Sequence, residues 1–419
     1  MRLLPVLSLV CASALGVATG APAQDGPPPP VSLTAALREA LRANPELVAL
    51  QRRYESTRAA IPESRSLAPP MFDTQIWGWP VTTLNPSRTD MYMFTAEQEL
   101  PGKGKRAQRE LVAAREATLS QQQIVVRANA ILNDVKQAYA ELMLARATEE
   151  LYDQQRPLLE DTAEAATLRY AAGHSGQHDT VKSIVELSRL QAASIDWRER
   201  ARLAETRFNV LLGRSPDSPV PPLDTAEVAA PSAADAERVA LERNPDLAMA
   251  DAEIAREEAE LARLRGERRP DFVVGGGYML QPGGAGAWTA RAGLSWPNAP
   301  WSRSGLATSI DAQERRVTAA RAQRDAVVSA VRQAVRNAII RLDTAHERTG
   351  LLEASVVPHV EHAFEVARTA YASDRGDFAD LLDTQRVLLD TRMQLVSARA
   401  DAARALADLQ MALGELPEN

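Results

Sequence analysis

Gly102-Lys103-Gly104-Lys105-Arg106 opens, and Leu211-Leu212-Gly213 closes, the stretch that decides the fold. Between them a helical pattern runs out, breaks near Gly173 and runs back, with Pro157 as its one proline. The same plan returns from Asn298 to Gly414, with Pro300 near its start and Pro358 beyond. At 1.5 Å per residue, an outgoing arm of roughly 70 residues is about 100 Å long. Helices of that length occur in coiled coils and helical barrels. The return arm of the second hairpin carries two adjacent heptad columns: Leu381, Leu388, Leu395, Ala402, Leu409, and beside them Leu382, Leu389, Val396, Ala403. Two columns mean packing on two sides, which suits the wall of an α-barrel. Each outgoing arm is about twice its return arm. The return arm and the helix after each Asn-Pro are therefore expected to stack end to end along it.

The repeat extends beyond the arms. Asn244-Pro245-Asp246-Leu247 repeats Asn44-Pro45-Glu46-Leu47, and Pro270-Asp271-Phe272 echoes Pro70-Met71-Phe72. Pro358 matches Pro157, Tyr371 matches Tyr170, and Ala412-Leu413-Gly414 matches Leu211-Leu212-Gly213. The offset stays at about 200, which reads as duplication of one large unit. The expected layout is an export signal over 1–23, a first repeat over 24–214, a Pro-rich linker over 215–231 and a second repeat over 232–419. The signal reading rests on Arg2, the apolar run Leu3 to Val17 and the small-residue site Ala21-Pro22-Ala23. The one cysteine, Cys11, lies inside that run behind Val10, so no lipid anchor is expected.

Each repeat also holds a non-helical insert. Met71 to Pro80 and Met91 to Leu100 flank a turn around Asn85-Pro86-Ser87; Asp271 to Leu280 and Ala287 to Trp296 flank Pro282-Gly283-Gly284. Trp288, Ala290, Ala292, Leu294 and Trp296 share one face, and Thr289, Arg291, Gly293 and Ser295 the other. Each strand has the length a tilted strand needs to cross a bilayer. Four strands cannot close a barrel, and open edges cannot sit in lipid. Three chains would supply twelve strands. The competing reading is two soluble hairpins packed on helices. Trp77, Trp79 and Trp288 flank the strands, at a lipid interface or in a core. Gly275-Gly276-Gly277 reads as a bend, and Lys103, Lys105 and Arg106 are expected at the periplasmic rim.

The net charge of −7 and the absence of a basic stripe argue against a nucleic-acid partner. After the signal no apolar run is long enough for a membrane helix. No catalytic set, phosphate loop or cofactor motif appears, so neither an enzyme nor a bound cofactor is expected.

The Asn-Pro-Glu/Asp-Leu entry, the strand end Glu97-Gln98-Glu99-Leu100-Pro101-Gly102, and the tips Arg169-Tyr170-Ala171-Ala172-Gly173 and Tyr371 to Gln385 resemble the TolC-like outer-membrane efflux channels. The likeness covers essentially the whole mature chain. The proline–glycine–lysine strand exit and Gly376-Asp377-Phe378-Ala379-Asp380-Leu381-Leu382-Asp383 look like its heavy-metal branch, the CzcC and CusC type. The resemblance implies a homotrimer in the bacterial outer membrane. It would have a twelve-strand β-barrel, an α-helical tunnel across the periplasm, a periplasmic adaptor and an inner-membrane pump. Cargo is expected to be metal cations; drug or protein export and a soluble periplasmic coiled-coil adaptor are the other readings.

The functional chemistry is expected at the tips around Gly173 and Gly376, where an adaptor would dock. Asp179 and Asp380 occupy matching positions, Asp383 lies one turn further, and Lys182 holds its place in the first copy. Three-fold symmetry would turn such acids into rings that concentrate cations; the alternative is that they are solvated or cap the return helix. The resemblance also implies a tyrosine and an arginine that hold the entrance closed. Tyr371 matches by spacing, and Arg375 is one position off. The pairs His174/His178 and His359/His362 have spacings that fit one helix face, as weak metal candidates or surface histidines. Pro157 and Pro358 are each expected to loosen the helix at the same depth.

Overall fold

In the computed structural model the described residues are 30–82, 85, 88–174, 176–224, 235–373 and 375–415. The export signal, Pro86, Ser87 and residues 225–231 of the linker lie outside them. The elements fall into two runs of the same order. The first is α1 (Leu33–Ala43), α2 (Pro45–Ala59), a short α3 (Ile61–Arg65), β1 (Met71–Trp77), β2 (Met91–Leu100), α4 (Lys105–Ala171) and α5 (Gln177–Leu211). The second is α6 (Ala236–Arg243), α7 (Pro245–Gly266), β3 (Phe272–Leu280), β4 (Ala287–Leu294), α8 (Arg303–Leu351), a π turn (Leu352–Val356), α9 (Val357–Ala372) and α10 (Phe378–Leu413). α4 is 67 residues long against 35 for α5, so one rod of about 100 Å has a half-length partner on its distal part. The proximal part is covered by the helices around the first Asn-Pro. Glu46 of α2 pairs with Arg127, and Arg65 of α3 with Glu110.

The Asn-Pro motifs are local in sequence but act at long range. Asn44 Oδ1 accepts the Glu46 N–H at 3.0 Å and so starts α2, with Pro45 in the first turn, where no N–H is missed. Its Nδ2 donates to the Leu211 carbonyl at 3.0 Å, at the end of α5. Asn244 does the same, accepting from Asp246 at 2.9 Å and donating to the Ala412 carbonyl at 2.9 Å. The glycine that follows each return helix completes the lock. Gly213 and Gly414 have φ of 74° and 73°. A Cβ there would stand 2.5 Å from the Ala43 carbonyl oxygen and 2.6 Å from that of Arg243. Gly213→Ala and Gly414→Ala are each expected to cost about 2–4 kcal/mol, from left-handed strain and overpacking together. Gly173 has φ 76° but open space around its Cβ position, so Gly173→Ala is expected to cost only about 1–2 kcal/mol. Thermal melts of the three variants by circular dichroism check that order.

The four strands form one antiparallel sheet in the order β1-β2-β3-β4, joining the two repeats edge to edge through Tyr92↔Leu280 to Leu100↔Phe272. Register sorts the side chains cleanly. Phe72, Ile76, Phe94, Leu280, Trp288 and Leu294 share one face; Asp73, Glu97, Glu99 and Arg291 share the other, where Arg291 pairs with Glu97 at 2.6 Å. Trp288 is exposed on the apolar face, edge-on to Tyr278 at 5.1 Å. Trp77 departs from the lipid-facing and core readings. It lies on the charged face, and its indole N–H donates to Gln75 Oε1 at 3.3 Å. The glycine run is no bend either, because β3 passes straight through it. A Cβ on Gly277 would meet the Phe94 carbonyl oxygen at 2.4 Å, so the glycine lets β2 approach.

Lys105 is likewise not a rim charge. Its side chain is 1% exposed and its Nζ lies 2.8 Å from Glu267 and 2.7 Å from Asp271. Asp271 also accepts the Gly102 N–H at 2.7 Å. The ions tie the strand exit of the first repeat to the strand entry of the second. Burial works against both charges, yet the hydrogen bonds win: the ammonium is raised above its usual range and the Asp271 carboxyl is held below its own.

The two prolines are answered differently. α4 continues as α-helix through Pro157. Ahead of Pro358 the chain widens into the π turn, where the Val357 N–H reaches back to the Leu352 carbonyl. That five-residue step makes room for the ring and for the missing N–H. His359 Nδ1 bonds the Ser355 carbonyl at 2.6 Å, so this histidine serves the loosened turn.

Candidate channel entrance

Both hairpins end in one shared core. Tyr152, Leu159 and Leu190 of the first hairpin pack with Phe364, Tyr371, Phe378, Leu381 and Leu388 of the second. The tips are thus held as one unit. The return helices begin there without side-chain caps, from Gly176 for α5 and Asp377 for α10.

Tyr371 lies at the centre, 6% exposed, its ring 5.6 Å from that of Phe378. The arginine that meets it is Arg169, not Arg375. The Arg169 guanidinium sits 4.5 Å from the centroid of the Tyr371 ring, and its NH1 donates to the Tyr371 carbonyl at 2.6 Å. Arg375 is exposed, and its backbone N–H donates to the Ala370 carbonyl at 2.9 Å. The one-position offset therefore puts Arg375 in the turn itself. Sequence reasoning quoted Arg169 as part of a signature without giving it a role. The usable signal was a break in the repeat: the counterpart of Arg169 is Ala370, while the tyrosines beside them match.

Asp179 is half-buried in the first turn of α5, 3.5 Å from His178 Nδ1 and close enough to Tyr371 to act on it. Burial pushes the Tyr371 phenol up; Arg169 pulls it back and Asp179 adds to the rise. The phenol oxygen is buried without a hydrogen-bond partner among the described residues. Asp179, Arg169 and Tyr371 thus form one cluster across the two tips, and Asp380 and Asp383 stand apart from it.

Asp380 and Asp383 lie on the exposed face of α10, with Leu381, Leu382 and Gln385 turned into the core. Neither accepts a backbone N–H among the described residues, which leaves the capping alternative without a bond. Asp383 and its repeat counterpart Lys182 line one groove between α5 and α10, beside Glu186 and Arg386. Arg386 Nε donates to Glu186 at 2.9 Å, and this pair ties the two return helices together. Arg189 adds a further bond to Glu186 at 3.1 Å. The acids thus sit at the edge of a charged groove, and the histidine pairs are dispersed. His174 lines the cavity beside Tyr371, His178 the groove beside Lys182. Among the described residues no three His, Cys, Asp or Glu side chains converge as a metal site would need.

Two long hairpins on a sheet with one apolar face are the parts of a membrane duct, and the comparisons agree. Residues 238–415, most of the second repeat, match the family model described as outer membrane efflux protein. The cobalt-zinc-cadmium resistance protein CzcC of Cupriavidus metallidurans is 24% identical over 380 residues, covering 86% of this chain and 84% of that one. Among solved structures the fold superposes on the outer-membrane channel OprN with a TM-score of 0.78 at 18% identity, covering 91% and 89% of the two chains. It superposes on CusC with a TM-score of 0.76 at 15% identity, covering 91% of each. The chain accordingly combines a share of an α-barrel wall with a share of a β-barrel. Its strands lie in the outer membrane and its long helices in the periplasm. No described helix is long and apolar enough to cross a membrane.

Proposed function

We propose that three copies assemble into the exit duct of a tripartite efflux system whose cargo is heavy-metal cations. The observation that carries the assembly is the sheet. Its one apolar face fits lipid and its charged face fits water, but β1 and β4 each keep one side without a neighbour among the described residues. Unpaired backbone groups in hydrocarbon cost several kcal/mol each, so copies must meet edge to edge, and twelve strands make a closed barrel. The helical hairpins then gather into a tunnel whose periplasmic end is the paired tips. Residues around Gly173 and Gly376 face a periplasmic adaptor, which links the duct to an inner-membrane pump, and residues 1–23 direct export. The chain acts as a conduit and not as an enzyme, with transport driven by the pump.

The cargo reading rests on the likeness to CzcC, whose name states cobalt, zinc and cadmium resistance. Cells lacking the gene are expected to become sensitive to those three metals and to recover on complementation. Unchanged metal tolerance together with a gained sensitivity to organic dyes or drugs would favour the drug-export alternative.

At the entrance, Arg169 and Tyr371 form the latch, Asp179 adjusts it, and Arg375 holds the turn. Asp380 and Asp383 form two rings of three carboxylates that gather cations before the opening. Asp380→Asn with Asp383→Asn is expected to weaken cation preference and relieve block by multivalent cations added on the periplasmic side. Single-channel recordings in planar bilayers check this, and unaltered selectivity and block would remove both acids from the entrance.

A further inference from the structure

Because the repeats share one plan, a contact inside the chain marks the place of a contact at its flanks. Along the outgoing helices the buried stripe Ile131, Val135, Ala138 and Leu142 returns 200 residues on as Val331, Val335, Ala338 and Leu342. Along the return helices Ala204, Phe208 and Leu212 return 201 residues on as Ala405, Leu409 and Leu413. These stripes hold each arm to its own partner, α4 to α5 and α8 to α10.

α4 has a second packed side, against α10 of the other repeat. Asn129 Nδ2 donates to the Met411 carbonyl at 2.9 Å, and Gln137 Nε2 to the Arg404 carbonyl at 3.1 Å. Asn133 and Gln137 also donate to Asp408, at 3.3 and 2.9 Å. Ala140, one turn past Gln137 on that side, is buried.

The counterparts of this seam lie bare. On α8 the places of Asn129, Asn133, Gln137 and Ala140 are taken by Ser329, Gln333, Asn337 and Ile340, all exposed. On α5 those of Arg404, Asp408 and Met411 are taken by Leu203, Arg207 and Val210, also exposed. Ile340 is 54% exposed and Leu203 61%. Thus a buried alanine has become a bare isoleucine, and an arginine a bare leucine, on faces whose equivalents are covered. Asp408, the acceptor of the inner seam, has become Arg207, which Glu141 of its own chain engages at 3.0 Å. Apolar contact therefore takes over from the acid-centred network. Ile340 stands about 50 Å from the far end of α9, well above the tips where an adaptor docks. A second copy of this chain is the partner that presents α5 in the matching register.

We propose that α8 of one copy packs on α5 of the next in the register of the inner α4–α10 seam, with Ile340 against Leu203. It rests on the reading above that three copies assemble, and it names the surfaces that meet. Asn337 then donates to the Leu203 carbonyl of the neighbouring copy, as Gln137 does to Arg404 within the chain. Each chain offers α8 on one flank and α5 on the other, a head-to-tail contact that three copies close into a ring.

The test uses thiol cross-linking of the full-length protein in its membrane. The one cysteine of the sequence, Cys11, lies in the expected export signal. Ile340→Cys with Leu203→Cys, treated with a short bis-maleimide, is expected to give covalent dimers and trimers on denaturing gels. Each single variant, and Leu203→Cys with Arg332→Cys two turns away, is expected to stay monomeric there. In native mass spectrometry Ile340→Asp is expected to lower the fraction of three-chain species by about tenfold or more, with helix content unchanged because the residue is exposed in the single chain. Adding Leu203→Arg is expected to restore that species. A three-chain parent whose Ile340→Cys with Leu203→Cys variant stays monomeric on the gel would overturn the seam and leave the assembly reading standing. A cross-link to a different protein would overturn it too, by placing another partner on this face. A parent that is a stable monomer with its strands intact would overturn both.

Discussion

Lys105→Met is expected to destabilise the base of the barrel by roughly 3–5 kcal/mol, because it strands Asp271 without its ammonium beside Glu267, which keeps only Arg263 at 3.4 Å. The loss is of charge balance more than of packing, since methionine nearly fills the lysine stem. Restoring neutrality should therefore rescue it. Lys105→Met combined with Glu267→Gln and Asp271→Asn is expected to recover much of the stability. Heat-induced loss of strand signal by circular dichroism measures both. The clamp should also ignore ordinary changes of pH. The Asp271 carboxyl sits below its usual 3.8 and the Lys105 ammonium above its usual 10.5. The acid's contribution is full above about pH 3.8 and fades as pH falls through the lower folded value. The lysine's is full below about 10.5 and fades only as pH rises through the higher folded one. A melting temperature that varied steeply through neutral pH in the parent but not in Lys105→Met would contradict this.

Arg169→Ala is expected to unlatch the tips. It removes a charge-assisted hydrogen bond worth about 1.5–3 kcal/mol and a cation–π contact worth about 0.5–2 kcal/mol. A loss of roughly 2–4 kcal/mol shifts a closed–open balance by at least tenfold, and each chain of an assembly loses the same latch. Single-channel conductance in planar bilayers should rise sharply. Two variants mark the latch more narrowly. Tyr371→Phe keeps the ring under the guanidinium and discards a buried hydroxyl with no hydrogen-bond partner among the described residues, so conductance should stay at the parent level. Arg375→Ala should also leave it there, because the side chain is exposed. A parent-like Arg169→Ala, or an open Tyr371→Phe, would place the latch elsewhere.

What the sequence made legible was local or periodic. Asn-Pro-Glu/Asp-Leu reads as a helix start because the cap and its target are two residues apart. The strands read as strands because period-two alternation survives in Trp288 to Trp296. Long-range pairing was not legible. Lys105 looked like a rim charge because its carboxylates lie more than 160 residues away, and nothing near it in sequence reports burial. Arg169 was passed over because its partner, Tyr371, belongs to the other hairpin. Trp77 was misplaced because a strand end carries too few residues to fix which face is which. Register against Met91 resolved it. The two prolines looked equivalent, and only the path of the helix separates one kept in α-helix from one accommodated by a π turn.

The account stands on the claim that one chain supplies four strands of a closed twelve-strand barrel. Native mass spectrometry of the detergent-solubilised protein, with strand content followed on the same sample, tests it most directly. The expected result is a species of three chains that falls to monomer only as strand signal is lost. A stable monomer with all four strands intact would contradict it.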